Sequence, residues 1–443
     1  MIFQNSQQLI NNGRTPDLQQ KRKDILTILE NALNAVNPYQ AVKQVFDHQQ
    51  IVISNTEIDF SIFSRIFVVG FGKASVGMTR AVLDSVPIQQ GIIITNQKNA
   101  IIDHENIQVI QGGHPLPNQG SMDGTHRIIN LLKTTQADDI IVFCISGGGS
   151  ALFCCPRISL NHLQTTTELL LESGADINEI NTIRKHLSYV KGGQLLRHTQ
   201  ATVLSLIISD IIDDPLEFIA SGPTSPDSTT FSDAKKVLEK YHLWHRIPDE
   251  AQIIITKGIK GTITETPKEN DPLFDHVFNH IIANNTIACQ KAVKTAQQLG
   301  YKPTLLTTSL AGEAREIGKY LVNKFKENKT SERQALISGG ETTVTLQGKG
   351  RGGRNQELVL GCIEELKDTE ILLGSFATDG IDGKSDAAGS LADGYSAKRA
   401  GQLKLDYKKY LSTNNSYEFF LQLHDLLVTG PSGTNVMDIQ VIL

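Results

Sequence analysis

The chain has 443 residues, 40% of them hydrophobic and 20% charged, with a formal net charge of −5. That length exceeds one ordinary core, so two domains are expected. The negative balance offers no basic stripe for nucleic acid, and no run approaches the roughly 18 apolar residues of a membrane span, so neither partner is expected. The opening stretch, MIFQNSQQLINNGR, has no basic n-region and no apolar h-region, and the five cysteines form no C-x-x-C pair. Both observations predict a cytoplasmic protein with reduced thiols.

From Asp17 to Val36 the residues Ile25, Ile28, Leu29, Ala32, Leu33 and Val36 recur at helical spacing, and Asn37-Pro38 ends the run. Tyr39 to Phe46 reads as a second helix. A strand–loop–helix pattern then sets in, with buried strands predicted at 66–70, 91–95, 107–111, 140–145 and 203–208. Short apolar strands alternating with helices predict a parallel sheet covered on both faces, a Rossmann-like first domain. Polar, weakly patterned sequence from Pro248 to Asp275 marks the expected domain change, giving domains 17–255 and 256–443. The second half is α/β again, with strands near 277–283, 304–308, 335–337, 342–346, 371–377 and 438–443.

Parallel sheets bind ligands at the carboxyl ends of their strands, and the loops there are unusual. The first strand runs into Gly70-Phe71-Gly72-Lys73-Ala74-Ser75, which lacks the third glycine of a dinucleotide fingerprint and the lead of a Walker A loop. What is left is Lys73 at a helix start, where a cation is unfavourable unless it faces an anion. Ser146, Gly147, Gly148, Gly149 and Ser150 follow the strand ending at Ile145 and offer backbone N–H groups to a phosphate. His114 sits in a Gly-Gly-His-Pro loop. Asp210, Asp213 and Asp214 follow the strand ending at Ile208, and Asp379, Asp382 and Asp386 follow the one ending at Ala377. Such carboxylates suit Mg²⁺, which takes one or two acids plus phosphate oxygens. Arg184 and Ser188 lie four apart on one helical face, which by itself reads as a solvated basic surface.

The densest stretch is Leu336 to Leu360, LISGGETTVTLQGKGRGGRNQELVL. Lys349, Arg351 and Arg354 crowd a predicted helix start, so the loop reads as a grip for an oxyanion or phosphate. Absence of a hydride-cofactor fingerprint, two acid clusters and these grips together point to phosphoryl transfer.

The motifs GFGKAS, GGHPLPNQGS, SGGGSAL, NTIRKHLS, VKGG, IASGPT, SGGETTVT with GRGGRNQE, TDGIDG and TGPSGTNV occur in this order between Gly70 and Val436. In this the chain resembles class II glycerate kinases, which carry a Rossmann-like N-terminal domain and a C-terminal MOFRL domain. The resemblance implies ATP- and Mg²⁺-dependent phosphorylation of D-glycerate at the 2-hydroxyl, an active site in the interdomain cleft, and leaves a homodimer open. It places the catalytic lysine on Lys73 and the catalytic arginine on Arg354. The expected further roles are Gly72 and Ser146 to Ser150 for the nucleotide, Asp210 and Asp379 for metal or base, and Arg351, Glu341 and Asn355 for substrate. Family members also bear the name hydroxypyruvate reductase, and NAD(P)H-dependent reduction is the alternative, opposed by the missing glycine and ribose acid. The chain departs from the family pattern at Ile212-Asp213-Asp214-Pro215 and at Met437.

Overall fold

The computed structural model describes residues 2–53, 56–327 and 332–443. The chain forms two compact units, one of residues 38–282 and the other of residues 1–37 with 283–443.

In the 38–282 unit a small antiparallel sheet of β1 (Phe46–Asp47), β2 (Gln50–Ile53) and β3 (Thr56–Asp59) precedes the main one. The main sheet contains β4 (Ile66–Phe71), β5 (Gln90–Thr95), β6 (Ile107–Gln111), β7 (Ile140–Ile145), β8 (Thr202–Ile208) and β9 (Val277–Ala283), in the order β6-β5-β4-β7-β8-β9. Pairings from β6 through β8 are all parallel, as expected. Every residue of β4 and β7 is buried, which is why IFVVGF and IIVFCI are continuous apolar runs and do not alternate. The chain winds outward from β4 in one direction and from β7 in the other. The loops after these two neighbours therefore leave side by side at a topological switch point. Phe71 stacks on Phe153 at 4.3 Å and meets Phe143 edge-on, fixing the floor beneath those loops.

The other unit has a mixed sheet: β10 (Lys302–Leu310), β11 (Gln334–Gly340), β12 (Leu372–Ala377), β13 (Gly389–Asp393), β14 (Leu426–Leu427) and β15 (Asp438–Ile442). The order is β10-β11-β15-β12-β13-β14, and only the β10–β11 pair is parallel. The final strand of the chain is thus central, inserted between β11 and β12, with Asp438 opposite both Gly340 and Ala377.

Four expectations differ from these observations. The polar 248–275 region is no linker: the helix Asp249–Ile259 buries Ala251 and Ile255 against Phe231 and Leu238. The strand from Val277 closes the first sheet and does not open the second. The helix Pro16–Ala35, assigned by sequence to the first domain, belongs with residues 283–443, because its buried Arg22 is held by Asp393 and Asp425 and its Asp24 accepts from Tyr301. Finally, Thr342 to Leu346 is not a strand. Its β-branched residues find no partner strand beyond one isolated bridge, Thr343 with Glu313. Among the described residues no helix is long and apolar enough to cross a membrane.

Candidate active site

In the 38–282 unit the candidate residues converge where β4, β7 and β8 end. The loop after β4 is bound to the loop after β7: Lys73 N donates to the carbonyl of Gly147 at 2.9 Å, and Ala74 N donates to Ser146 Oγ at 3.0 Å. Gly72 has φ 125, and any side chain there would collide with Ser146, so both its left-handed backbone and its close approach require glycine. Gly148, φ 82, packs against His114 and the stem of Lys73. A side chain at Gly147 would fall on the carboxylate of Asp210. Lys73 makes no ion pair among the described residues. Its charge, added to burial, holds the His114 imidazole below the ordinary histidine range. Asp213 and Asp214 take consecutive left-handed conformations, φ 62 and 53, which aspartate tolerates better than most residues. They shape the turn that follows Asp210.

Beside these loops lies a cavity of about 590 Å³ whose walls include His114, Gly147, Gly148, Ser150, Asp210 and Lys191. Its mouth carries the exposed apolar side chains Leu116, Leu171 and Ile177. Of the inner wall the sequence singled out Arg184 and Ser188, read as a solvated basic face, and gave Lys191 no role. There Lys191, buried, donates from Nζ to the carbonyls of Ser150 at 2.7 Å and Phe153 at 3.1 Å, and burial lowers its pKa to about 8. Asn181 and Arg184 complete that wall.

In the other unit Arg354 begins the helix Arg354–Gly361. The sequence ascribed the cations here to a bound anion, but the anion at this helix start is the chain's own. Asp382 accepts from the backbone N–H groups of Asn355 at 3.1 Å and Gln356 at 2.9 Å. It is fully buried, which pushes its pKa up to about 6 against those two hydrogen bonds. Arg354 donates to both oxygens of Asp438, at 2.6 and 2.9 Å, and reaches Glu341 at 2.6 Å. Asn355, expected at the substrate, is buried, with its side chain bonded to Asp382 and Ser375, which gives it a structural position. Arg351 lies over the Tyr417 ring at 3.9 Å and pairs with Asp386 at 3.3 Å. Asp379 accepts from Ile381 N at 3.0 Å in a tight local turn, and its charge adds to the upward push on Asp438. Glu341, Lys349, Arg354 and Lys384 border a second cavity of about 710 Å³. Asp438 was missed because a single acid opening an apolar strand carries no motif.

No three His, Cys, Asp or Glu side chains gather as metal ligands among the described residues. A Mg²⁺ arriving with a nucleotide needs only one or two carboxylates, the remainder being phosphate oxygens and water. Asp210 on the cavity wall and the half-exposed Asp379 each fit that requirement.

Residues 24–256 match a family described as "Domain of unknown function (DUF4147)", and residues 334–438 match the MOFRL family. The chain is 41% identical over 428 residues to a glycerate 2-kinase of Pyrococcus horikoshii, covering 94% of this chain and 96% of that protein. It is 37% identical over 434 residues to a D-glycerate 2-kinase of Thermotoga maritima, covering 96% and 98%. The crystal structure of a glycerate kinase from Thermotoga maritima matches with TM-score 0.84 at 36% identity, over 95% of this chain and 98% of that one.

Proposed function

The chain belongs to the glycerate kinase family that carries a MOFRL domain and is an ATP-dependent glycerate kinase, and from that premise we propose a specific reaction and residue roles. The reaction is transfer of the γ-phosphoryl group of ATP to the 2-hydroxyl of D-glycerate, giving 2-phosphoglycerate and ADP. The observation that supports these roles is the meeting of Gly147, Gly148 and Asp210 at one switch-point cavity, with the stem of Lys73 packed beside Gly148.

Phosphoryl transfer asks the protein for alignment and charge neutralisation more than for covalent chemistry. The backbone N–H groups of Gly147, Gly148 and Ser150, with Gly72 allowing close approach, hold the nucleotide phosphates, those of Ser146 and Gly149 being donated to the Phe71 and Ser146 carbonyls. Lys73, a half-buried cation with no acid of its own, stands beside them and takes the charge of the moving phosphoryl group. The 2-hydroxyl oxygen forms the new bond to phosphorus as the bond to the β–γ bridging oxygen breaks. The hydroxyl proton passes to a carboxylate, for which Asp210 is placed. Mg²⁺, when bound, would neutralise phosphate charge, with Asp210 the acid available to hold it in the 38–282 unit and Asp379 the candidate in the other. Arg354 serves the same reaction, held in one orientation by Asp438 and Glu341. Arg351 and Glu341 stay candidates for substrate contact, whereas Asn355 acts through the helix start.

We also propose a cytoplasmic location, supported by five thiols that are all free and buried. The test of function is ADP release by purified protein with Mg²⁺-ATP, with and without D-glycerate. Turnover that depends on D-glycerate supports the reading. ADP release indifferent to glycerate, or oxidation of NADPH with hydroxypyruvate in its place, overturns it.

A further inference from the structure

One face of the helix Ile177–His186 runs along the 590 Å³ cavity, from Ile177 at its mouth to Asn181 and Arg184 on its inner wall. The helix cannot turn about its axis. Lys185, wholly buried, is held on the other side by Asp227 at 2.6 Å and Glu217 at 3.0 Å. His186 is fixed between the Thr182 carbonyl at 2.7 Å and Glu265 at 2.9 Å. Arg184 is therefore placed by its neighbours, yet it has no hydrogen bond and no ion pair of its own among the described residues. Burial depresses its pKa, the mark of a guanidinium that water no longer fully solvates.

Asn181 beside it is 2% exposed. Its side-chain oxygen accepts from Ser221 Oγ at 3.0 Å, and Ser221 in turn meets Ser150 Oγ at 2.9 Å. With the oxygen engaged, the NH₂ group is what Asn181 has to offer the cavity. Lys191 spends two of its three N–H bonds on carbonyls and retains the third. The corner thus contains a guanidinium, an amide NH₂ and an ammonium, three donor groups side by side. Around it lie the small or apolar side chains Ala151, Cys154 and Leu187.

We propose that Arg184, Asn181 and Lys191 form the seat of the glycerate carboxylate. The inference rests on the glycerate kinase reading. A desolvated cation without a counterion is costly, and a planar guanidinium beside an amide matches a carboxylate with two parallel hydrogen bonds. The reaction has two anions to bind, and the loop N–H groups with Lys73 already provide for the phosphates. The remaining anion is the carboxylate.

The experiment is steady-state kinetics on Arg184→Gln, Arg184→Lys and Asn181→Asp, with D-glycerate and with neutral glyceramide. Wild-type turnover of D-glycerate comes first and tests the kinase reading separately. For Arg184→Gln the KM for D-glycerate should rise on the order of ten- to a hundredfold, as for loss of a charge-assisted hydrogen bond, while the KM for ATP stays within about twofold. Preference for glycerate over glyceramide should collapse, and Arg184→Lys should recover part of it. Thermal midpoints and ATP-analogue binding confirm folding. Should Arg184→Gln not fold, Asn181→Asp sets a like charge against the carboxylate and should weaken glycerate binding alone. Unchanged KM for glycerate in folded variants, or a rise confined to ATP, overturns the assignment.

Discussion

Arg354 and Asp438 form a two-pronged pair, Nε to Oδ2 at 2.6 Å and Nη2 to Oδ1 at 2.9 Å, in which the acid is buried and the cation partly open. Removing one partner of such a pair leaves a charge stranded in the interior. Arg354→Ala should therefore lower stability by about 3–5 kcal/mol as well as abolish turnover. The double variant Arg354→Ala/Asp438→Asn should regain much of the stability and none of the activity. Urea unfolding with kcat/KM on the two variants checks this. Equal stability of the single and double variants would refute it.

Lys73 differs in having no acid to strand. Lys73→Met should leave the urea midpoint near that of the wild type and reduce kcat by about 10²–10³, the usual cost of one lost charge-stabilising donor. A kcat within a few-fold of wild type would remove Lys73 from the chemistry.

Gly147 and Asp210 offer a test of the cavity that does not delete a charge. The backbone of Gly147 is not left-handed, so Gly147→Ala is conformationally allowed, but its methyl group occupies the Asp210 carboxylate position. The carboxylate must move, and kcat should fall at least tenfold with the fold retained, a loss worth about 1.4 kcal/mol of barrier. Gly72→Ala should instead destabilise the protein, since it meets the Ser146 backbone at a φ of 125. Thermal melts of both variants separate these outcomes.

The parallel sheet was legible because both of its faces are buried, and burial writes itself into strands such as IIVFCI. The second sheet was legible as strands but not as a pairing. IQVIL is apolar whichever neighbour it joins, and its place between β11 and β12 depends on contacts a hundred residues away. The same limit hid the membership of the Pro16–Ala35 helix, set by Arg22 with Asp393 and Asp425. Thr342 to Leu346 read as a strand on propensity alone, which a missing partner overrides. At the site, Lys73 and the Gly147–Gly148 loop were visible because glycines and a cation at a helix start violate local preference. Arg184 was visible only as part of a solvated basic face, because Arg184, Lys185 and His186 look alike in sequence and only the packed helix decides which of them faces the cavity.

Glu265 gives a pH signature for that helix. Burial pushes its pKa up, but the His186 ring and the backbone N–H groups of Phe231 and Thr266 outweigh it and bring the value down to about 2 from 4.5. A carboxyl depressed on folding stabilises above its unfolded pKa, and that contribution is lost as pH falls from about 4.5 towards 2. Glu265→Gln should therefore be less stable than wild type at pH 7, and the gap should close on acidification across that window. Melting temperatures of both proteins at several pH values check it. A gap constant with pH would contradict the pairing.

The central claim is transfer to the 2-hydroxyl of D-glycerate, and the most direct measurement couples the reaction to enolase. Enolase consumes 2-phosphoglycerate and not the 3-isomer. Purified protein with Mg²⁺-ATP, D-glycerate and enolase alone should produce phosphoenolpyruvate at the rate at which ADP appears. Phosphoenolpyruvate that forms only after phosphoglycerate mutase is added would mean that the 3-hydroxyl is the acceptor, and would contradict the account.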